Sequence, residues 1–139
     1  MSTKRQSISF EELLSKYATG ERNFINIEIW DWRRGLFKGV DLSRINLEGS
    51  AIDIDLSGAI LKNANFRNTI WGGNTWESTD FTGSNMTGVH FNESCFFINC
   101  NFSETVWNQA ELFQSTFNDC NLWLADFNDA RLIEVDLYG

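Results

Sequence analysis

Few side chains in this 139-residue chain could move a proton, attack an electrophile or hold a metal. There is one histidine, His90, there are three cysteines, Cys95, Cys100 and Cys120, and there are 19 Asp and Glu. Catalysis needs such groups gathered in fixed patterns, a nucleophile beside its base or two carboxylates set apart by their surroundings. No such pattern is visible. His90 lies in VHFNE and reads as a solvated wall residue, and Cys95 has no basic neighbour to lower its pKa. No glycine-rich phosphate loop appears, and no pair of carboxylates is singled out by spacing. The expectation is a non-enzymatic protein with no catalytic, cofactor-binding or metal-ligating residues.

Charge bounds the partners. The net charge is −8 and it is uneven: residues 1–67 carry ten Lys/Arg against nine Asp/Glu, whereas residues 68–139 carry Arg131 alone against ten acids. Phosphate-rich partners repel the second half, so neither direct nucleic-acid binding nor membrane binding is expected. No apolar run approaches the roughly 18 residues of a membrane span, and MSTKRQSISF has no signal-type apolar stretch. Three irregularly spaced cysteines make no disulfide framework. Cys100 and Cys120 should occupy equivalent inward sites as reduced thiols, with Cys95 facing out. A cytoplasmic location is the expectation.

What positions these residues is a period of five. In FNDCNLWLADFNDARLIEVDLYG, Phe117, Leu122, Phe127, Leu132 and Leu137 fall at every fifth place. A helix asks for spacings of three and four, a strand for two. Followed backwards, the period runs through Leu112 and Trp107 to Phe102. After one inserted residue it resumes at Phe96 and continues through Phe91, Met86, Phe81, Trp76, Trp71, Phe66 and Leu61 to Leu56. After one missing residue it resumes at Ile52, Leu47, Leu42 and Phe37. The residue two before each large one is mostly small, as in Ala59, Ala64, Thr69, Ser84, Cys100, Ala110 and Ala130. Small and large two apart face the same way from an extended segment. The remaining positions are turn formers. A long repeat of this kind implies a stacked, quasi-one-dimensional fold.

The segments ANFRN, TDFTG, CNFSE, CNLWL, ADFND and VDLYG resemble the pentapeptide repeat family, with consensus close to A(D/N)LXX, over roughly residues 37–139. The resemblance implies an all-β solenoid, a right-handed quadrilateral β-helix of about five coils. At a spacing of roughly 4.8 Å these make a rod about 25 Å long. Four inward ladders follow: Phe37, Leu56, Trp76, Phe96, Phe117 and Leu137; Leu42, Leu61, Phe81, Phe102 and Leu122; Leu47, Phe66, Met86, Trp107 and Phe127; Ile52, Trp71, Phe91, Leu112 and Leu132. All should be buried. Ile98, beside the inserted residue, should mark a corner bulge, and Asn74, at a small inward position, should need a partner inside.

Residues 1–22 read as a tail and a short capping α-helix. Phe10, Leu13, Leu14 and Tyr17 have helical spacing, Ser9 and Glu12 form a capping box, Ile8 can staple onto Leu13, and Gly20 stops the helix. Residues 23–139 form the β-helix, with 23–36 as an irregular first coil.

Function must then come from the surface. Phe97, Ile98, Phe113, Trp123, Leu124, Ile133 and Tyr138 are apolar at outward positions, all in the last third, and no second capping helix follows the repeats. A bare coil edge beside apolar residues predicts an interface, with an unknown protein partner or a second copy docked tail to tail. The primary expectation is a protein–protein interaction or scaffold module. The resemblance points to bacteria, and many cyanobacterial members have no assigned role. It also carries an alternative, because quinolone-resistance members act on DNA gyrase by imitating DNA. The acids that would serve are Asp80, Glu93, Glu104, Glu111, Asp119, Asp126, Asp129, Glu134 and Asp136. A 25 Å length of duplex carries about fifteen phosphates in ordered lines. This rod offers fewer charges, spread over four sides.

Overall fold

The computed structural model describes residues 4–139. Strand β1 (Gln6–Ser7) and helix α1 (Phe10–Ala18) precede ten short strands: β2 (Ile27–Asp31), β3 (Ala51–Ile54), β4 (Ile70–Trp71), β5 (Thr75–Glu77), β6 (His90–Phe91), β7 (Phe96–Ile98), β8 (Glu111–Phe113), β9 (Thr116–Asn118), β10 (Arg131–Ile133) and β11 (Asp136–Tyr138). All pairings are parallel. Glu28 pairs with Ala51, 23 residues on, Ala51 with Ile70, 19 on, Ile70 with His90, 20 on, His90 with Glu111, 21 on, and Glu111 with Arg131, 20 on. Five residues per side and about twenty per coil make four sides. One wall is the sheet β1-β2-β3-β4-β6-β8-β10, and another is β5-β7-β9-β11. Isolated bridges make the other two, Asp41–Ile60–Asp80–Asn101–Asn121 and Asn23–Asn46–Asn65–Asn85–Val106–Asp126.

The turn formers have a local job. In successive repeats the Asp or Asn before the large residue accepts the backbone N–H two residues on. Examples are Asp41 from Ser43 (2.9 Å), Asn65 from Arg67 (3.0 Å), Asp80 from Thr82 (3.0 Å), Asn101 from Ser103 (3.0 Å) and Asp126 from Asn128 (2.9 Å). This bond holds each corner and explains why a short polar side chain is needed there. Inside, the small polar residues bond to carbonyls of the coils: Ser84 Oγ donates to Leu61 O at 2.7 Å and Thr69 Oγ1 to Phe66 O at 2.7 Å. The Trp71 and Trp107 indoles donate to Thr69 and Thr105 at 2.8 Å, so both are buried without a lost hydrogen bond. The rings stack coil on coil, as in Phe81 on Phe102 (4.8 Å, 4°) and Trp71 on Phe91 (5.2 Å, 18°).

Helix α1 caps the first coil. Ser9 Oγ accepts Glu12 N at 3.1 Å, Phe10 meets the edge of Phe37 at 4.8 Å, and Tyr17 Oη donates to Ser43 O at 2.8 Å. Gly20 (φ 103) turns the chain away after the helix. The insertion after β2 leans on the helix through Arg33, which bonds Glu11 at 2.9 Å and Asp31 at 2.6 Å.

Four expectations need correction. The stack has about seven turns, not five, because repeats begin earlier than Phe37. Phe24 and Ile29 are buried beneath Leu47 and Ile52, and β1 adds a further rung below β2. Secondly, the inserted residue lies between Phe91 and Phe97, not after Phe96. Trp76 pairs with Phe97 and Phe97 with Phe117, so Phe97 is buried in the ladder and Phe96 is on the surface. Cys95, two residues before Phe97, therefore points inward and is buried. Ile98 is no corner bulge but lies in β7, between Glu77 and Asn118. Thirdly, Asn74 finds its partner on the wall, donating to Asp53 Oδ1 at 3.1 Å. Fourthly, the ladders do not bury every large residue, because Leu132 and Leu137 are exposed in the last coil.

Candidate functional site

The last coil differs from those beneath it in exposure, not in pattern. Leu112 and Phe117 are 1% and 2% exposed, whereas their ladder neighbours Leu132 and Leu137 are 48% and 62% exposed. Leu122 and Phe127 are half-buried above fully buried Phe102 and Trp107, and Phe127 stacks flat on Trp107 at 5.4 Å. In lower coils the backbone N–H of each such residue donates to the coil above, as Phe102 N does to Asn121 O (2.7 Å) and Trp107 N to Asp126 O (2.7 Å). Among the described residues the N–H groups of Leu122 and Phe127 have no such acceptor. The end therefore combines apolar side chains with unpaired sheet edge.

The residues picked out from sequence divide into groups around this end. Trp123 and Leu124 project from a corner of the last coil, 63% and 65% exposed, and Tyr138 lies on the wall beside Asn118. Leu124 has φ 57 and is the one apolar residue among the described non-glycine residues with positive φ. That backbone region disfavours a large side chain. Phe113 and Ile133 are rung neighbours over a shallow cleft of about 140 Å³ shared with His90, Glu111 and Arg131. Ile98 lies on the adjacent four-stranded wall, half-buried, in the same stack as Tyr138 two rungs away. Phe97 leaves the candidate surface altogether, and Phe96 takes its place at 45% exposed.

The acids are scattered and partly engaged. Asp80 holds its own turn and lies 3.7 Å from Lys62, Glu111 lies between His90 (3.1 Å) and Arg131 (3.4 Å), and Glu134 accepts Gln114 Nε2 at 2.6 Å. Asp126 holds the turn at Asn128, and Asp136 pairs with Thr116 in β9. Glu104, Asp119 and Asp129 are exposed at corners with positive φ. Glu93 lines a groove of about 450 Å³ across the seven-stranded wall, with Glu28, Asp53 and Trp30. Sequence reading missed this groove. Its only advance signal was the exposed side of β2, where Glu28 and Trp30 alternate with buried Ile27 and Ile29. Among the described residues no group of three or more His, Cys, Asp or Glu is placed to hold a metal ion, and no helix is long and apolar enough to cross a membrane.

The model of the family described as pentapeptide repeats matches this chain in eight copies, over residues 59–96, 97–132 and 108–139. The chain belongs to the pentapeptide repeat family. Such proteins form right-handed quadrilateral β-helices, which is the architecture seen here. Rfr23, a pentapeptide repeat protein of the cyanobacterium Cyanothece 51142, is 20% identical, with 89% of this chain covering 92% of that one at a TM-score of 0.43. Alr5209, a pentapeptide repeat protein from Nostoc PCC 7120, is 18% identical, with coverage of 97% and 99% and a TM-score of 0.38. QnrB1, a plasmid-mediated fluoroquinolone resistance protein, is 20% identical, with coverage of 83% and 64% and a TM-score of 0.31. No curated protein matches the chain by sequence.

Proposed function

We propose that this pentapeptide repeat protein is a non-enzymatic, cytoplasmic interaction module whose C-terminal coil is its contact surface, and that a second copy docks there tail to tail. The observation that carries this reading is the exposure of Leu132 and Leu137 in ladders that are otherwise dry. A square coil end with apolar residues on its sides is matched in outline by another such end. A two-fold axis perpendicular to the rod places the same patch on both partners, which is the usual form of a dimer interface. Each edge then offers the other its free N–H and C=O groups, and the Leu132 and Leu137 side chains leave water together. Leu124 supports the reading: an exposed leucine kept at a strained φ suits a surface that uses its side chain.

The test is molar mass in solution. The wild type should weigh twice the monomer at tens of micromolar. The double variants Leu132→Asp with Leu137→Asp, and Ile133→Asp with Tyr138→Asp, should be monomers with unchanged circular dichroism. Both copies are acidic at this end, through Asp126, Asp129, Glu134 and Asp136, so added salt should strengthen the dimer by screening their repulsion. A wild type that is monomeric at every salt concentration, or variants that still dimerise, would sink the reading.

The alternative, inhibition of DNA gyrase or another DNA-binding enzyme by imitating DNA, has the acidic excess of residues 68–139 in its favour. Scattered, partly engaged carboxylates weigh against it. In a supercoiling assay with purified gyrase we expect no inhibition at tens of micromolar. Potent inhibition that weakens with salt would reverse the order of the two readings.

A further inference from the structure

Two of the three cysteines face each other. Asn101 and Asn121 are bridge partners on adjacent coils, and Asn121 N donates to Cys100 O at 3.0 Å. Cys100 and Cys120 therefore occupy equivalent inward positions one rung apart. Both are reduced, and each thiol donates to a carbonyl of the coil below, Cys100 Sγ to Trp76 O at 3.4 Å and Cys120 Sγ to Phe97 O at 3.5 Å. Their surroundings differ. Cys100 is buried, whereas Cys120, in the last coil, is half-buried. Cys95 sits at another corner, where it bonds Gly72 O at 3.4 Å.

We propose that Cys100 and Cys120 form a reversible disulfide by exchange with a low-molecular-weight disulfide such as oxidised glutathione, with Cys120 as the attacking sulfur and Cys100 as the resolving one. Cys120 is the partner that solvent reaches. The neighbouring Cys100 thiol holds the Cys120 thiol below its ordinary value. The same neighbourhood, together with burial, pushes Cys100 up. The Cys120 thiolate attacks one sulfur of the reagent, a protein–glutathione disulfide forms, and one glutathione thiolate leaves. Cys100 then attacks the Cys120 sulfur, loses its proton to solvent, and expels the second glutathione. Two protein thiols are oxidised and one disulfide reagent is reduced to two thiols. Rungs stack at roughly 4.8 Å, wider than the ~3.8 Å between Cβ atoms that a relaxed disulfide prefers. The bond closes only with a small movement of the last coil, and a strained bond of this kind is readily reduced again. It is a switch on the terminal coil, not a permanent staple.

The test is made on dilute wild type and on the Leu132→Asp, Leu137→Asp variant, so that a dimer covering the coil end cannot hide Cys120. Native protein is incubated with oxidised glutathione, its free thiols are alkylated, and the products are read by intact mass and peptide mapping. The expected product lacks two thiols, carries no glutathione, contains a Cys100–Cys120 peptide and reverts with dithiothreitol. Cys100→Ser should instead trap glutathione on Cys120, and Cys120→Ser should leave Cys100 unmodified. A stable adduct on wild-type Cys120, loss of thiols in Cys120→Ser, or no reaction while Cys120 remains open to alkylation would each overturn the proposal.

Discussion

Replacing Phe97 with alanine should cost about 3–5 kcal/mol of folding stability, while Phe96→Ala should cost under about 1 kcal/mol. The two residues are adjacent and chemically identical, so the contrast isolates register. Phe97 is fully buried, with its ring centroid 4.9 Å from Phe117, 5.1 Å from Phe102, 5.6 Å from Trp76 and 5.8 Å from Phe91. Removing it opens a cavity bounded by aromatic rings that are themselves locked in stacks and cannot collapse inward. Phe96 stands on the outer wall between Thr75 and Thr116, half exposed. Urea denaturation of the two variants gives the comparison directly. Equal losses, or a larger loss for Phe96→Ala, would mean that the inserted residue lies after Phe96.

The same pair shows how far the sequence could be read. The five-residue period and the small residue two places earlier locate an inward ladder wherever only one reading satisfies both. At Phe96–Phe97 two readings do, because Ser94 and Cys95 are both small. Strict counting back from Phe102 favours Phe97, and that was the available signal. Phe24 and Ile29 keep the spacing of five, but the insertion that follows separates them from Phe37 by eight residues, so the count is lost there. Four-sidedness and handedness came from family resemblance, because a period fixes the length of a side and not the number of sides. The candidate surface was legible where it depends on alternation, as at Phe113 and Ile133. The exposure of Leu132 and Leu137 was not, because identical ladder positions differ only in whether another coil lies above them. The groove at Glu28, Asp53 and Glu93 joins residues that are far apart in the chain, and they meet because successive coils stack in parallel on one wall.

Asp55→Ala should cost about 3 kcal/mol at neutral pH, and part of that cost should vanish in acid. Asp55 stands where the coil is one residue short, between Ile52 and Leu56. Like other aspartates of the repeat it holds its corner, with Oδ1 accepting Ser57 N at 2.9 Å. Unlike them it is also covered, because the insertion of residues 31–36 folds over it. Its Oδ2 accepts Gly35 N at 3.0 Å, and Arg34 lies 3.8 Å away. Burial alone would raise its pKa, but the bonds from Ser57 and Gly35 and the charge of Arg34 outweigh burial and hold the carboxyl below its usual range. The sign follows from linkage: a carboxylate with a depressed folded pKa contributes stability above its unfolded pKa, about 3.9, and loses it as pH falls through the folded value. The gap between wild type and Asp55→Ala should therefore be full at pH 7 and narrow progressively below about pH 4. Asp31, Asp41 and Glu11, whose pKa values are also lowered, titrate in both proteins and cancel. Asp55→Asn keeps the turn to Ser57 but sets an amide NH2 against the Gly35 N–H, so it should lose roughly half as much as alanine at pH 7, and its gap to the wild type should narrow in acid by the same amount, because that change belongs to the wild-type carboxylate. A gap that is constant from pH 7 to pH 2 would mean that packing at this corner, and not the carboxylate charge, ties the insertion to the coil.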